Sequence, residues 1–246
     1  MTITNCKTNH LVNPLGYELD GVAFSWTVEG AEGQFQTAAR IIVRRDETVE
    51  ADTGWGPLDS LAAPVELTLR PRARYTWTVA VRTDAGEEAA SAENWFETGK
   101  LDEPWAGKWI GCDDAQPRHP VFSREIVPAK PVAAARLYLC GLGLYEAAWN
   151  GEKIGGEYLT PYCNDYNSWV QVQTYDITEQ LQTAGVLSVI LGNGWYKGRF
   201  GPDRQEKPYY GGSWKLIAEV QLTYTDGTEE VVGTDEDWTV TRSNIT

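Results

Sequence analysis

Arg136-Leu-Tyr-Leu-Cys-Gly-Leu-Gly-Leu-Tyr-Glu-Ala-Ala-Trp149, followed by Asn150-Gly151, is the stretch that decides the fold. It reads as one strand carried into a two-residue hairpin, because Asn-Gly supplies the left-handed residues that a type I′ turn requires. A second hairpin stands further on. Leu216, Ala218, Val220, Leu222 and Tyr224 alternate with Ile217, Glu219, Gln221 and Thr223 ahead of Asp226-Gly227, and Val231 and Val232 return. Upstream, Val22, Phe24, Trp26 and Val28 alternate with Ala23, Ser25 and Thr27, and Tyr75, Trp77, Val79 and Val81 share a face. Gly30 to Gly33, Thr53 to Pro57 and Asp84-Ala-Gly86 supply the breaks. Short alternating strands at this spacing predict a β-sandwich, so the chain is expected to be all-β.

The alternation lapses between Thr98 and Trp109, where Gly-Lys-Leu-Asp-Glu-Pro-Trp-Ala-Gly-Lys combines a glycine, charge and a proline. The boundary is placed there, giving domains 1–101 and 102–246. One helix is predicted, about two turns long, with Asp176 as N-cap, Glu179 completing a capping box, then Leu181 and a stop at Gly185. The last residues, Trp238 to Thr246, still have strand character, as expected of a polypeptide cut within a longer one.

A formal charge of -14 over 246 residues repels nucleic-acid phosphates and anionic lipid. The densest basic stretches, Arg44-Arg45 and Arg70 to Arg74, read as solvated strand ends, so neither a nucleic acid nor a membrane is an expected partner. No apolar run is long enough to span a bilayer. The start lacks a basic n-region followed by an apolar run, which makes a cytoplasmic protein the expectation. Cys6, Cys112, Cys140 and Cys163 form no Cys-x-x-Cys pair and read as free, mostly buried thiols.

Serine or cysteine nucleophiles need a histidine beside them, and the chain has only His10 and His119. His-Glu-x-x-His is absent. Gly141-Leu-Gly143 has Glu146 where a dinucleotide fingerprint needs its third glycine, Gly192-Asn-Gly194 has Lys197 there, and these glycines read as turn and bulge positions. Glycoside hydrolysis needs a carboxylate pair, but the acidic runs Glu87-Glu88, Asp113-Asp114, Glu229-Glu230 and Asp235 to Asp237 read as solvated faces. The aromatic content, with 11 Trp and 12 Tyr, is the positive signal. Trp26 and Trp77 are in phase with strand cores. Trp169, Trp195, Tyr196, Tyr209 and Tyr210 fall in Gly- and Pro-punctuated stretches, where binding, interdomain contact and packing all stay open.

In order along the chain, Asp52-Thr-Gly-Trp55, Trp95-Phe-Glu-Thr-Gly99, Trp105 to Ile110, Gly143-Leu-Tyr-Glu146, Trp149-Asn-Gly151, Leu159-Thr-Pro161, Asp165-Tyr166, Tyr175 to Thr178 and Gly192 to Arg199 resemble the non-catalytic N-terminal part of bacterial α-L-rhamnosidases. The resemblance implies a fibronectin-III/Ig-like β-sandwich followed by a jelly-roll β-sandwich. It implies a parent enzyme that releases terminal α-L-rhamnose from rhamnose-containing glycosides with inversion, using a C-terminal (α/α)6 catalytic barrel. No catalytic residue carries over, because nothing in the sequence matches that barrel. The implied roles are scaffolding and, in some members, rhamnose binding with calcium; no other cofactor is expected. The candidate carbohydrate-binding residues are Asn150, at the family's Asn-Gly hairpin, then Asp165, Tyr166, Asn193, Trp195, Tyr196 and Arg199. Hairpin geometry alone also accounts for Asn150. Asp165 and Asn193 are oxygen donors, but no Asp/Asn spacing forms a calcium loop, and the metal assignment stays open. The competing readings are a free-standing carbohydrate-binding module and a purely structural interaction domain.

Overall fold

The computed structural model describes residues 1–112, 118–199 and 208–245. Asp113-Asp114, one of the acidic runs above, and Thr246 lie outside them. The chain divides into two units, Met1–Pro104 and Trp105–Thr246.

The first unit holds β1 (Thr2–Thr8), β2 (Leu15–Tyr17), β3 (Val22–Glu29), β4 (Gln36–Arg45), β5 (Thr48–Asp52), β6 (Ala63–Val65), β7 (Arg74–Thr83), β8 (Glu88–Ala90) and β9 (Asn94–Thr98). A three-stranded sheet, β1-β3-β6, accompanies a six-stranded one in the order β2-β9-β7-β4-β5, with β8 on β7. Every pairing is antiparallel except β2 with β9. Alternation drives the packing: Val22, Phe24 and Trp26 of β3 bury with Tyr75, Trp77, Val79 and Val81 of β7, as the period-2 pattern predicts. The Phe24 and Trp77 ring centroids lie 4.3 Å apart, and Tyr75 stacks on Phe96 at 4.9 Å. The Tyr75 hydroxyl accepts the Arg70 N–H at 2.9 Å, a tyrosine-corner arrangement that pins the approach to β7.

The second unit holds β10 (Ile110–Gly111), β11 (Pro120–Ile126), β12 (Val132–Leu142), β13 (Leu144–Trp149), β14 (Glu152–Lys153), β15 (Gln173–Asp176), β16 (Gly185–Gly192), β17 (Lys215–Tyr224), β18 (Glu229–Gly233) and β19 (Thr239–Arg242). One five-stranded sheet runs β10-β17-β12-β15 with β18 on β17; the other runs β14-β13-β16-β11-β19. Phe122, Leu137, Leu139, Leu187, Val189, Leu191, Leu216, Val220 and Leu222, from both sheets, fill one core. This is the expected all-β architecture of two sandwiches in series.

The deciding stretch is two strands, not one. β12 belongs to the first sheet and β13 to the second, and the chain crosses between them at Gly143, whose φ is +131°. A Cβ there would come within 3.0 Å of the Gly192 carbonyl oxygen, so only glycine fits the corner. Leu137 and Leu139 before the corner, and Tyr145, Ala147 and Trp149 after it, all face the core. The odd-numbered phase continues through the bend, which is why periodicity alone reads a single strand.

Both predicted hairpins are present. Ala148 pairs with Lys153 and Trp149 with Glu152 around Asn150 (φ +51°) and Gly151 (φ +89°), and β17 pairs with β18 around Asp226-Gly227. The predicted helix is reduced to a 3-10 turn over Gln180–Gln182. Asp176 closes an Asx turn instead, accepting from the Thr178 N–H at 3.0 Å and the Thr178 hydroxyl at 2.6 Å, and this local bonding competes with helix initiation. All four cysteines are free, but only Cys140 is buried, and Cys163 is exposed. Among the described residues no helix is long and apolar enough to cross a membrane.

Candidate functional site

β12 and β17 are buried on both faces: besides their core-facing residues, Tyr138, Cys140, Ile217 and Glu219 are also shielded from solvent. Near the start of the unit the cover is the chain itself. The Ala106 and Gly107 N–H groups donate to the Glu219 carboxylate, Gly107 at 2.9 Å, and Lys108 N–H donates to the Thr234 carbonyl at 2.7 Å. A carboxylate holding two backbone donors is a charge-assisted clasp.

At the Cys140 end, the loop between β14 and β15 meets the loop that follows β16. Tyr145 N–H donates to the Thr160 carbonyl at 2.7 Å, fixing the first loop to β13. Asp165 caps the turn inside it, accepting from Asn167 N–H at 3.1 Å and the Ser168 hydroxyl at 2.8 Å. Asn164 Nδ2 donates to the Trp169 carbonyl at 2.6 Å. The second loop is a tight turn in which Lys197 N–H donates to the Asn193 carbonyl at 3.0 Å. It sits close because a Cβ on Gly194 would come within 3.0 Å of the Leu144 nitrogen.

The two loops meet through tyrosines. Tyr166 makes edge-to-face contacts with Tyr196, at 5.3 Å between centroids, and Tyr210, at 5.1 Å, and Tyr210 does so with Tyr209 at 4.7 Å. Burial pushes the Tyr166 hydroxyl up to about 12, with Cys163 and Cys140 adding to the effect, so it stays a neutral O–H at ordinary pH. Among the described residues that buried hydroxyl has no hydrogen-bond partner, and neither has Asn164 Oδ1, on a side chain only 7% exposed. Unsatisfied buried polar atoms cost about 1–3 kcal/mol each, a cost that an ordered water or a ligand relieves. Trp195 and Tyr209, in the same stretch of chain as Tyr196 and Tyr210, are exposed. Beside them, the Lys197 ammonium lies 3.3 Å from the Trp214 ring centroid, and His119 meets the same indole edge-on at 5.6 Å. Burial, and then the Lys197 charge, lowers the His119 pKa, which keeps this imidazole neutral at pH 7.

Of the seven candidate residues, Tyr166 and Tyr196 are in ring contact, and Asp165, Asn193 and Trp195 sit in the turns that carry them. Arg199 is exposed at the edge of the described residues. Asn150 is elsewhere. It follows Trp149, whereas the site adjoins Leu144, so β13 separates them by about 17 Å at the usual rise per residue. Its Oδ1 accepts the Val186 N–H at 2.8 Å and its own N–H donates to the Val186 carbonyl at 2.9 Å, which makes it a hairpin residue stitched to β16. Asn164, Tyr210 and Trp214 complete the cluster; Tyr210 was among the loop aromatics left open between binding and packing, and Asn164 and Trp214 were not singled out. Tyr209-Tyr210-Gly-Gly carried a compositional hint; nothing in the sequence distinguishes Asn164 from an ordinary turn asparagine. The acidic runs are also more engaged than solvated faces would be. Glu87 accepts from the Glu32 and Gly33 N–H groups at 3.0 Å, and Arg124 pairs with Asp235 and Asp237. Among the described residues no group of three or more His, Cys, Asp or Glu is placed to hold a metal ion.

An immunoglobulin-like sandwich followed by a jelly roll with an aromatic end defines a tandem β-sandwich accessory unit. Residues 3–102 match the Rha78A-like N-terminal immunoglobulin domain and residues 130–246 the α-L-rhamnosidase N-terminal domain, so the chain carries the paired N-terminal domains of the α-L-rhamnosidases. It is 30% identical over 269 residues to an α-L-rhamnosidase of Formosa agariphila, covering 92% of this chain and 28% of that protein. The structure superposes on the α-L-rhamnosidase of Dictyoglumus thermophilum with a TM-score of 0.84 and 30% identity, over 98% of this chain and 30% of that one. The Aspergillus terreus enzyme gives 0.87 at 25% identity, over 98% and 29%. The chain thus spans under a third of the length of these relatives.

Proposed function

We propose that this chain is the accessory front portion of an α-L-rhamnosidase that hydrolyses terminal α-L-rhamnose with inversion, and that catalysis belongs to a separate barrel. The observation that carries this reading is the match of both domains, in order, to the N-terminal domains of enzymes more than three times as long. The unit supplies scaffold, and its tyrosine cluster supplies a rhamnose contact. The sugar stacks a C–H face on Trp195 or Tyr209 and places hydroxyls near the unpaired Tyr166 hydroxyl and Asn164 Oδ1. In this reading Asp165, Asn193 and Arg199 supply further polar contacts, and calcium would be held from the Asp165 and Asn193 turns.

Two measurements test it. The pure chain should release no nitrophenol from an aryl α-L-rhamnoside; release abolished by a single carboxylate substitution refutes the division of labour. Isothermal titration with L-rhamnose, with calcium and then with a chelator, should give saturable heat weakened at least tenfold by Tyr166→Phe and unchanged by Asn150→Ala. A flat titration with folded protein removes the sugar contact and leaves the scaffold role.

A further inference from the structure

Besides the residues of the tyrosine cluster, the loop between β14 and β15 carries a concentration of exposed apolar side chains. Tyr158, Leu159, Tyr162, Trp169, Val170 and Val172 are all exposed large apolar side chains, the first four at 76, 70, 62 and 55%. Six such residues within fifteen positions depart from the scattered apolar exposure of an ordinary surface. The three aromatic rings alone contribute on the order of 400 Å², from about 200 Å² each when fully exposed.

The backbone under them is built, not loose. Thr160 is tied to Tyr145, Asn164 to Trp169, and Gln171 Nε2 donates to the Tyr162 carbonyl at 3.2 Å, bringing the two sides of the loop together. Lys153 packs its ammonium 3.6 Å from the Tyr158 ring centroid. Leu159 has φ +59°, a left-handed conformation that costs a leucine about 1–2 kcal/mol. Strain that turns an apolar side chain toward water calls for an occupant that repays it.

We infer that this loop is the docking surface for a further domain of the same polypeptide, the one to which the proposed function assigns catalysis. The inference rests on that reading. Three observations select this occupant. The branched aliphatics Leu159, Val170 and Val172 suit a protein core and offer a sugar ring no flat face. The relatives carry more than two thirds of their length outside the region matched by this chain. The patch also matches one side of an interdomain interface, which buries about 600–1,500 Å² in total, and is small for an obligate homodimer of 2,000 Å² or more.

The test compares this chain with the same chain extended to the end of its natural reading frame. Amide exchange across residues 158–172 should slow at least tenfold in the extended protein, and acrylamide quenching of the Trp169 contribution, isolated by Trp169→Phe, should fall. The pair Leu159→Asn and Trp169→Ala, both at exposed positions, should leave this chain folded and restore fast exchange in the extended one. Unchanged exchange in an extended protein that is folded and cleaves rhamnosides overturns the inference while leaving the proposed function intact. Slowed exchange in an extended protein without rhamnosidase activity does the reverse. Concentration-dependent dimerisation of this chain, abolished by the pair, replaces the occupant with a second copy and overturns it. Protection by L-rhamnose alone does so in favour of a sugar.

Discussion

Replacing Gly143 with alanine should cost the second unit far more than alanine at a turn glycine with open space around it. Gly143 holds φ +131°, outside the range that L-residues occupy at low energy, and the new Cβ would come within 3.0 Å of the Gly192 carbonyl oxygen with Trp214 Cδ1 at 3.4 Å. The backbone conformation contributes about 1–3 kcal/mol. Relief of the contact requires moving a strand end, because the obstacle is backbone, and overpacking of this kind costs about 1–3 kcal/mol more. Reduced freedom of the unfolded chain returns up to about 1 kcal/mol, leaving a net loss of about 1–6 kcal/mol against a typical total of 5–15. Two controls separate the contributions: Gly151→Ala has φ +89° but open space around the methyl group, and Gly212→Ala has neither obstacle. Urea denaturation followed by tryptophan fluorescence and far-UV circular dichroism should order the midpoints Gly143→Ala below Gly151→Ala below Gly212→Ala, with the first unit's transition unmoved. Equal midpoints for Gly143→Ala and Gly151→Ala would refute the corner as the origin of the constraint.

Asn150→Ala should destabilise the second unit by about 1–3 kcal/mol in the same assay, since it removes the acceptor of the Val186 N–H and places alanine at positive φ; Asn150→Gly, which keeps the backbone freedom, should lose less. Ellman's reagent at pH 8 should label exposed Cys163 first and reach Cys140 only on unfolding. Burial pushes Cys140 up to about 12 from 9.0, so the folded state keeps a proton that the unfolded state gives up. Stability is therefore complete below pH 9 and declines between pH 9 and 12, by up to about 4 kcal/mol for this thiol; denaturation midpoints at pH 8.5 and 11 should lie closer together in Cys140→Ala than in wild type. Glu219→Ala should cost about 2–4 kcal/mol by orphaning the Ala106 and Gly107 donors, whereas Glu219→Gln, which keeps an acceptor, should recover at least half as judged by thermal melting.

The sheets were legible because period-2 alternation is a direct imprint of one buried face. Val22 to Trp26 and Tyr75 to Val81 show it, Leu216 to Tyr224 alternates in residue type although both its faces are covered, and Asn150-Gly151 names its own turn. The change of sheet at Gly143 was not legible, because the core-facing phase runs through it. The false helix at Asp176 arose because an Asx turn and an N-cap use the same side-chain oxygen, and only the neighbouring backbone decides between them. The candidate site divides along the same line. Tyr166 and Tyr196 were found by residue type, since aromatics in punctuated loops are conspicuous. Tyr210, the other ring against Tyr166, lies over forty residues from it in sequence, and the Asn164 oxygen, unpaired among the described residues, is defined by burial, which no local pattern records.

The Glu219 clasp also sets a timetable. The first unit has all its strands once Thr98 has been made, and it can close while the remainder is still being synthesised. The second cannot. Its opening residues, Ala106 to Lys108, find their partners on Glu219 and Thr234, more than a hundred residues downstream. At about 5–20 residues per second, that interval is roughly 6–25 seconds during which the segment has no native mate. The folded first sandwich precedes it on the nascent chain throughout, and the second domain must assemble late, from strands held in waiting until the last of them emerges.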